Sequence, residues 1–402
     1  MDGTQSMEKA TRQFSKDRNK RLILKTIYSG GEISRADLAR ATQLTRTTVS
    51  SIVSELIKDG LVQETGMGVS DGGKPPVILQ IDEHGRHLIG IDLGSNHLQG
   101  GVTDLRGNIL YRCELPVQNP GGEAVVAQVI ELVQTLLATT DQPILGIGIG
   151  TPGLIDAPHG IIRQAVNLHW QELALGEILS KRYQLPCYLS NDSHAAAVGE
   201  FMFGEHRTGL RNQVVIKAGR GIGAGVILDG QLFVGESSFA GEIGHVTVQE
   251  NGLLCDCGNY GCLETLVSTP VLVRAAREQS WNNPASPLHA QVSRPEDLTP
   301  DMVYAAYRAG DPDLQRTVLE MARYLGLVIA NIVGLLNVES VLIGGSMAQL
   351  GPTFINAIRN EFHQRINPML AVKTQVEMCS IGKDIVIRGA AALLLTRELG
   401  LV

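Results

Sequence analysis

The stretch LIGIDLGSNHLQGGVTDLRGNILYRCEL, residues 88–115, decides the fold. It predicts an apolar strand ending at Asp92, a second strand up to Asp104 after a glycine-containing turn, and a third strand after the Arg106-Gly107-Asn108 turn. QVVIKAGRGIGAGVILDGQLFVG, residues 213–235, repeats this plan. Because helical stretches flank both units, the sequence predicts an α/β fold with two similar lobes facing a cleft.

The remaining pattern sets the expected domain boundaries. ILGIGIGTPGLID (residues 144–156) and VESVLIGGSMAQLG (residues 338–351) predict strands that run into glycines, and the chain closes with an apolar helix. We expect three domains: residues 1–84, residues 85–192 joined by the C-terminal helix 385–402, and residues 193–384.

The composition is that of a compact globular protein. Hydrophobic residues make up 44% of the 402 residues, enough for more than one packed core. No uninterrupted apolar run reaches the roughly 20 residues of a membrane span, and the polar start lacks the apolar centre of a signal peptide. We therefore expect a cytoplasmic protein without membrane insertion, in which six cysteines are too few for a disulfide scaffold.

The N-terminal region has a charge and a helical pattern of its own. Residues 1–70 carry 11 Lys or Arg against 8 Asp or Glu, although the whole chain has a net charge of −7. A mildly basic module on an acidic body suits a polyanion partner. Residues 15–65 predict three helices and a strand, with Leu22, Ile23 and Ile27 forming the apolar stripe of the first helix.

The second and third predicted helices form a helix-turn-helix, with Ser34 and Thr45 as N-caps and a turn near Gln43. The third helix has an apolar face made of Val49, Ile52, Val53, Leu56 and Ile57. Its opposite face is rich in hydroxyls, which suits the helix that enters the DNA major groove.

A predicted β-hairpin follows, made of LVQE, the loop GMGVSDGGKPP and VILQI, residues 61–81. This is typical of a winged helix, and we expect operator DNA as a partner. The alternative is a small helical domain with a solvated third helix. The candidate DNA-binding residues are Arg46, Thr47, Thr48, Ser50, Ser51 and Lys74.

Three of the six cysteines lie close together in GEIGHVTVQENGLLCDCGNYGCLE, residues 241–264. His245, Cys255, Cys257 and Cys262 offer one imidazole and three thiolates, a set that suits a closed, structural tetrahedral Zn²⁺ site. Gly258 and Gly261 would allow the backbone to wrap around the ion. The alternative is a group of buried free cysteines.

Several polar residues suit a neutral polyhydroxylated ligand, because amides and carboxylates hydrogen-bond hydroxyls and these motifs carry few cations. Taken singly, each could be a cap or turn residue, and Asn191-Asp192 could be the N-cap of the following helix. The candidate sugar-binding residues are Asn167, Asn191, Asp192, Glu242, His245 and Glu264.

Taken together, the winged helix and the motifs IGIDLG, GIGTPGLID, NDSHAAAVGE, GEIGH and CDCGNYGCLE resemble the ROK family of repressors and sugar kinases. The resemblance covers almost the whole chain. It implies the actin-like, ribonuclease-H-like two-lobed ATPase fold preceded by a winged helix-turn-helix. It also implies that the His/Cys set holds zinc, that the polar set grips a hexose or amino sugar, and that Asp192 matches the catalytic base of the family's kinases.

Two glycine-rich hairpins depart from the kinase pattern that this resemblance supplies. The first reads Ser95-Asn96-His97, without the expected lysine, and the second reads Gly219-Arg220-Gly221. Arg220 could contact a phosphate or exclude the nucleotide, and both hairpins could be plain turns. We therefore expect no kinase activity, with Asp192 as the catalytic residue if the chain is a kinase.

The overall expectation is a sugar-responsive, DNA-binding repressor of carbohydrate metabolism genes, acting as a homodimer or homotetramer on a palindromic operator. A sugar bound between the lobes would shift the linker near His84 to Leu88 and change the spacing of the two DNA-binding domains. Two alternatives stay open: an ATP-dependent sugar kinase, and a repressor released by docking to a partner protein.

Overall fold

The computed structural model describes residues 3–68, 75–94, 96–117, 122–205, 210–281, 283 and 286–401. The chain forms two compact units. The first comprises Met1–Ile149, His159–Leu189 and Ala390–Val402, and the second comprises Gly150–Pro158 and Ser190–Gly389.

The N-terminal part of the first unit is a winged helix-turn-helix. Its elements are α1 (Gly3–Gly30), β1 (Ile33–Ser34), α2 (Arg35–Thr42), α3 (Arg46–Lys58), β2 (Val62–Met67) and β3 (Val77–Ile81). The strands form a sheet of order β1-β3-β2, in which β2 and β3 pair antiparallel. The β2 strand extends past the predicted LVQE because its ladder with β3 continues beyond a bulge between Glu64 and Gly66.

Both predicted N-caps are confirmed. The Ser34 hydroxyl accepts a hydrogen bond from the Asp37 amide, and the Thr45 hydroxyl accepts one from the Thr48 amide. The turn between the helices places Gln43 at φ 57°, a left-handed conformation that ends α2.

The buried stripes of these helices agree with the prediction except at Ile57 and Leu22. The side chains of Val49, Ile52, Val53 and Leu56 are buried on α3, whereas Ile57 is half-buried. On α1, however, Leu22 is exposed, and the helix instead buries Ile23, Leu24, Ile27 and Tyr28. The prediction for Leu22 was wrong because the buried face consists of two neighbouring i, i+4 pairs, and Leu22 lies outside both.

The chain up to α6 continues with groups of strands separated by helices. The elements are β4 (His87–Leu93), β5 (His97–Thr103), β6 (Ile109–Pro116), α4 (Gly122–Leu137), β7 (Ile144–Thr151), β8 (Leu154–Asp156), β9 (Ile161–Ala165), β10 (Trp170–Leu173), α5 (Leu175–Tyr183), β11 (Cys187–Asn191) and α6 (Asp192–Phe203). The predicted single strand over residues 144–156 is broken into β7 and β8, because Pro152 has no amide for a strand ladder.

The second unit continues with the following elements: β12 (Gln213–Ala218), β13 (Ile222–Leu228), β14 (Gln231–Phe233), α7 (Thr269–Trp281), α8 (Pro300–Arg308), α9 (Pro312–Leu336), β15 (Ser340–Gly344), α10 (Gly351–Arg365), α11 (Pro368–Ala371), β16 (Gln375–Met378) and α12 (Ile385–Leu399). The division between the two units falls inside α12, after Gly389.

Two five-stranded sheets share one plan, as the repeated sequence pattern predicted. Their strand orders are β11-β7-β4-β5-β6 and β16-β15-β12-β13-β14, so each sheet has an antiparallel meander on one side and two later strands on the other. In the second sheet, β12 pairs antiparallel with β13 and parallel with β15, which in turn pairs parallel with β16. The shared order supports an internal duplication.

Among the described residues, α9 is the one helix that is long and apolar enough to cross a membrane by length and composition. Half of that apolar stretch is buried, and Leu325, Ile329 and Val333 pack in the core of the second unit. The helix is weak evidence for a membrane span, because the core helix of a soluble protein has the same length and composition.

Candidate functional site

The outer face of α3 presents polar side chains to solvent. Arg46, Thr47, Ser50 and Ser51 are exposed. Thr48 is half-buried, and its hydroxyl lies 2.9 Å from the Thr45 hydroxyl, so it belongs to the helix cap as much as to the outer face. The remaining candidate for DNA contact, Lys74, lies outside the described residues.

Arg106, at the turn between β5 and β6, ties the DNA-binding domain to the rest of the first unit. Its guanidinium lies 4.4 Å from the centre of the Tyr28 ring and donates to the Tyr28 carbonyl at 2.9 Å. A second bond, at 3.1 Å, joins it to the Glu83 carboxylate, and the Tyr28 hydroxyl donates to the Leu105 carbonyl at 3.0 Å. We call Arg106, Tyr28 and Glu83 the arginine latch; the sequence had identified Arg106 only as a turn residue.

The four predicted metal ligands converge. Their nearest ligand atoms, from His245, Cys255, Cys257 and Cys262, all lie within 4.8 Å of one another. Cys255 Sγ is 3.6 Å from His245 Nδ1, and Cys257 Sγ is 3.7 Å from Cys262 Sγ. These separations match the edges of about 3.5–3.8 Å expected for a tetrahedral Zn²⁺ with bonds of about 2.3 Å to sulfur and 2.0–2.1 Å to nitrogen. The cluster can hold a metal ion.

Glycine makes the loop around this cluster sterically feasible. Gly258 and Gly261 have φ angles of 92° and 70°, in the left-handed region that glycine adopts without strain. A Cβ at Gly261 would lie 1.8 Å from the Gln249 carbonyl oxygen, so no other residue fits there. The prediction that these glycines allow the chain to wrap is confirmed.

The thiols of the cluster have different environments. Burial raises the pKa of the Cys262 thiol to about 12 and also raises the pKa of Cys255, whereas a backbone hydrogen bond from Asn259 lowers the pKa of Cys257. Metal binding requires thiolates, so an ion that enters this cluster must displace protons.

Three carboxylates of the second unit interact, and we call Asp192, Glu242 and Glu264 the carboxylate cluster. Burial, followed by the negative charges of Asp192 and Glu264, raises the pKa of Glu242 to about 7. One oxygen of Glu264 accepts the Ile222 amide at 2.8 Å, directly after the second glycine-rich hairpin. One carboxylate oxygen of the cluster therefore satisfies a backbone amide and has less capacity to bind a ligand.

Asp192, at the start of α6, forms an ion pair that the sequence analysis missed. Lys217 Nζ, on β12, lies 2.8 Å from Asp192 Oδ2, and the Ser193 hydroxyl donates to Asp192 Oδ1 at 3.2 Å. A lysine within the apolar strand QVVIKA could have indicated the pair, because a charged residue in such a strand requires a partner. Lys217 lies outside the motifs of the polar set, so it adds a cation beside Asp192 that those motifs do not carry.

The two asparagines of the polar set are held differently. Asn191 is the N-cap of α6: its side chain accepts the Ser193 amide at 2.8 Å and donates to the Gly153 carbonyl at 3.1 Å. This supports the interpretation of Asn191 as a cap. Asn167 is exposed in a short 3₁₀ helix of the first unit, whereas the other five candidates belong to the second unit.

His245 stands between the metal cluster and the carboxylate cluster. Its Nδ1 faces Cys255, whereas its Nε2 lies 3.9 Å from Glu242 Oε2. That separation is longer than a hydrogen bond, but it places an acidic side chain on the ring nitrogen away from the metal ligands. A metal on Nδ1 would fix which nitrogen faces Glu242.

The hairpin Gly219-Arg220-Gly221 is a tight turn, closed by a 3.0 Å bond from the Gly219 amide to the Gly221 carbonyl. A Cβ at Gly219 would lie 2.9 Å from the Ser346 hydroxyl oxygen, and one at Gly221 would lie 2.6 Å from Glu264. Arg220, at its tip, is exposed. Of the first hairpin, Ser95 lies outside the described residues, and His97 is exposed.

Comparison with known proteins identifies the families to which the two parts of this chain are similar. Residues 88–397 match the ROK family, and residues 16–63 match a winged helix-turn-helix DNA-binding family. The chain belongs to the ROK family. A xylose repressor of Caldicellulosiruptor bescii is 32% identical over 392 residues, which cover 94% of this ROK chain and 95% of the relative.

Solved structures of other ROK proteins agree in fold. A ROK family transcriptional regulator, a homologue of the E. coli MLC protein, has a TM-score of 0.82 at 30% identity and covers 96% of this chain and 97% of its own. A ROK family glucokinase from Streptomyces griseus, in complex with glucose and AMPPNP, has a TM-score of 0.71 at 29% identity. The match covers 76% of this chain and 98% of the glucokinase chain. The predicted actin-like α/β fold preceded by a winged helix-turn-helix is confirmed.

Proposed function

We propose that this ROK protein is a sugar-responsive transcriptional repressor of carbohydrate genes. The observation that carries the proposal is a capped helix α3 with an exposed polar face, on the same chain as a ROK domain. In this function α3 enters the major groove of operator DNA in the cytoplasm, and Arg46 contacts a guanine or a phosphate. Two copies bind the two halves of a palindrome, as a homodimer or homotetramer.

The effector is a neutral sugar, and D-xylose is the first candidate because a relative of nearly equal length is named a xylose repressor. Asp192, Glu242 and Glu264 offer acceptors for hydroxyl groups, and Lys217 offers a donor. Among the original candidates, Asn191 acts mainly as a helix cap, and His245 acts through the metal cluster. Asn167 is an additional candidate from the first unit.

We infer that the metal is structural Zn²⁺, held by His245, Cys255, Cys257 and Cys262. Four protein ligands fill a tetrahedron and leave no position for a reacting water. The role of the ion is to hold Glu242 and Glu264 in place, because they lie three residues before the first ligand and two residues after the last. The free energy of metal binding stabilises the folded loop, and the loop then fixes the positions of the two carboxylates in the sugar site.

Sugar binding must change operator affinity, and the arginine latch is the route by which motion of the first unit reaches α1. The sugar has to favour one conformation by a few kcal/mol to act as a switch. The latch connects the β5–β6 turn to the DNA-binding domain through a stacked guanidinium and two hydrogen bonds, so the domain follows that turn.

The proposal is tested by calorimetric titration of the zinc-loaded protein with D-xylose and then with other pentoses, hexoses and amino sugars. We expect one sugar to bind near micromolar affinity and to change the affinity for an operator fragment selected from genomic DNA, measured by fluorescence anisotropy. A panel without binding would instead favour a repressor released by docking to a partner protein.

The second candidate function is ATP-dependent sugar phosphorylation, favoured by the glucokinase-like fold and by Asp192. A coupled assay for ADP in the presence of the bound sugar separates the two functions. We expect no turnover, because Arg220 occupies the tip of the second hairpin and Lys217 is paired with Asp192. Turnover that Asp192→Asn abolishes would establish the kinase.

A further inference from the structure

His194 is a buried histidine outside the metal cluster. It lies on α6, two residues after Asp192, and is 4% exposed. Its Nε2 lies 2.6 Å from the Ala240 carbonyl oxygen, two residues before Glu242. Because a carbonyl oxygen can only accept, Nε2 carries the proton and donates this hydrogen bond. His194 therefore joins two segments, 46 residues apart, that each carry a member of the carboxylate cluster.

The segment that His194 holds passes very close to β13. The Ala224 amide donates to the Gly241 carbonyl at 2.8 Å, and Gly241 has a φ of 90°. A Cβ on Gly241 would lie 1.8 Å from the Ala224 carbonyl oxygen, so only glycine fits there. Because glycine has no side chain to pack, the bond from His194 to the preceding residue is a side-chain restraint on this stretch.

Helix α6 packs against the same strand at equally short range. A Cβ at Gly223 would lie 2.3 Å from Ser193 Oγ, and one at Gly225 would lie 2.6 Å from the Ser193 carbonyl oxygen. The strand thus has both α6 and the Gly241 segment as close neighbours. His194 bridges these two neighbours directly.

The imidazole restrains the segment without adding a charge. Burial lowers the pKa of His194 below its ordinary 6.5, although the bond to Ala240 and the Asp192 charge act in the opposite direction, so the ring is neutral at neutral pH. Asp192 and Glu242 lie close enough for their charges to interact. Because like charges repel, the two carboxylates stay close only if the backbone that carries them is restrained.

We propose that His194 is a positioning residue of the sugar site: its hydrogen bond to Ala240 holds Glu242 at the distance from Asp192 at which both carboxylates accept from one sugar. This inference rests on the proposed sugar-binding function. His194 acts through the backbone and does not touch the sugar. Hydrogen bonds between oxygens span only about 2.5–3.0 Å, so a shift of about 1 Å in Glu242 breaks its contact with a hydroxyl.

Three substitutions at this position separate the hydrogen bond from the packing. His194→Gln keeps an amide N–H at about the reach of Nε2, His194→Asn is one methylene shorter, and His194→Leu fills the space without a donor. Calorimetry measures the affinity of each protein for D-xylose, or for the sugar that the panel identifies. His87→Leu, at a buried histidine of the first unit, is the matched control.

We expect His194→Gln to bind the sugar within about threefold of the wild type. His194→Asn and His194→Leu should bind it about 10-fold more weakly or worse, because a displaced Glu242 loses a hydrogen bond to the sugar. Zinc content should stay at one ion in all three variants. His87→Leu should lower the Tm and leave sugar affinity unchanged.

Amide hydrogen exchange reports the same restraint without any sugar. The Ala224 amide donates to the Gly241 carbonyl, and the Ala240 amide donates to the Val234 carbonyl at 3.0 Å. Both amides should exchange at least about tenfold faster in His194→Asn and His194→Leu than in the wild type, because the segment opens more often. His194→Gln and His87→Leu should exchange as the wild type does.

Three results would overturn the positioning role. These are unchanged sugar affinity in His194→Leu, an equal loss of affinity in His194→Gln and His194→Leu, and unchanged exchange of the two amides. If His194→Leu does not fold, as judged by zinc content and thermal unfolding, the smaller and polar His194→Asn carries the test. If the wild type binds no sugar of the panel, the proposed function fails and the role in sugar binding fails with it, while exchange still shows whether His194 restrains the segment.

Discussion

The outer face of α3 and the carboxylate cluster are both groups of polar side chains, but they are held differently. On α3, Arg46, Thr47, Ser50 and Ser51 are exposed and project from a single capped helix. In the cluster, Asp192 is bound by Lys217, 25 residues away, and Glu264 by the Ile222 amide, 42 residues away.

The α3 face is therefore a surface made by local structure, whereas the carboxylate cluster is assembled from segments that are distant in the sequence. The α3 face needs only helical periodicity and a cap, and in the proposed function it would contact DNA through side chains that water already solvates. The cluster buries Glu242 and holds it close to two other carboxylates, and burial first and then their negative charges raise its pKa. The cluster should therefore be the more sensitive to changes elsewhere in its unit.

The largest effect is expected from loss of the metal. Cys257 is exposed, so Cys257→Ser removes a ligand with little loss of packing. Because structural zinc contributes several kcal/mol to folding, we expect loss of bound zinc, a Tm lower by 10 °C or more, and loss of sugar binding. Zinc content, thermal unfolding and calorimetry measure the three quantities.

The control for this variant is Cys113→Ser, at a half-buried cysteine outside the cluster, which should keep its zinc. Operator affinity should survive in Cys257→Ser without sugar, because α3 is held by its own caps. If the thiol can be replaced without loss of zinc or sugar binding, the structural role of the metal is wrong.

The next largest effect is expected on the affinity for operator DNA. Arg46→Ala removes the cation at the start of α3, and we expect operator affinity to fall about 10- to 100-fold, the cost of a base or phosphate contact of about 1–3 kcal/mol. Sugar affinity should not change. Lys58→Ala, at the exposed C-terminal end of the same helix, is the matched control and should change operator affinity by less than about twofold.

The salt dependence of operator binding distinguishes the two kinds of contact that Arg46 can make. A phosphate contact lowers the salt slope by about one when the arginine is removed, whereas a base contact relaxes sequence preference at one position. An Arg46→Ala protein that binds operator as tightly as wild type would remove α3 from the proposed role.

The sequence predicted the local features of both regions and missed the long-range ones. Spacing along a short segment predicts the N-caps Ser34 and Thr45, the apolar face of α3, and the grouping of His245 with the cysteines. The structure contains these features, although Ile57 of the α3 face is only half-buried. The pairing of Lys217 with Asp192 depends on β12 and α6 meeting in the folded unit, which no short pattern encodes. The exposed Leu22 shows that periodicity finds a helix more readily than its buried face.

A moderate effect is expected at the arginine latch. Arg106→Ala removes the group that stacks on Tyr28 and bonds Glu83, which should cost about 1–3 kcal/mol of stability. Sugar binding and operator binding should each persist, but the change in operator affinity caused by sugar should shrink at least threefold. Anisotropy with and without sugar measures that coupling.

Arg112→Ala is the control for the latch, since Arg112 lies on β6 of the same meander and bonds Gln99. It should leave the coupling unchanged. Equal sugar responses in Arg106→Ala and the wild type would mean that the signal reaches α1 by another route.

The smallest effect concerns pH and the first unit. His87 is buried, its Nδ1 lies 2.6 Å from the Thr140 hydroxyl, and burial lowers its pKa below the ordinary 6.5. As pH falls below about 6.5, the unfolded chain takes up a proton before the folded one does, so the stability that neutral His87 provides is present above this pH and lost below it. We expect Tm to fall by a few degrees between pH 7.5 and 5.5, and to fall less in His87→Gln.

His97→Gln is the control, because His97 is exposed, and its Tm should follow the wild type at both pH values. His194 sharpens the contrast between the two units: it is buried on α6, burial lowers its pKa, and the neighbouring Asp192 charge opposes that shift. For His87, in the first unit, the acidic group that opposes the shift is Asp104. If His87→Gln changes the pH dependence of sugar affinity as well as that of Tm, the first unit takes part in the site more directly than the carboxylate cluster alone implies.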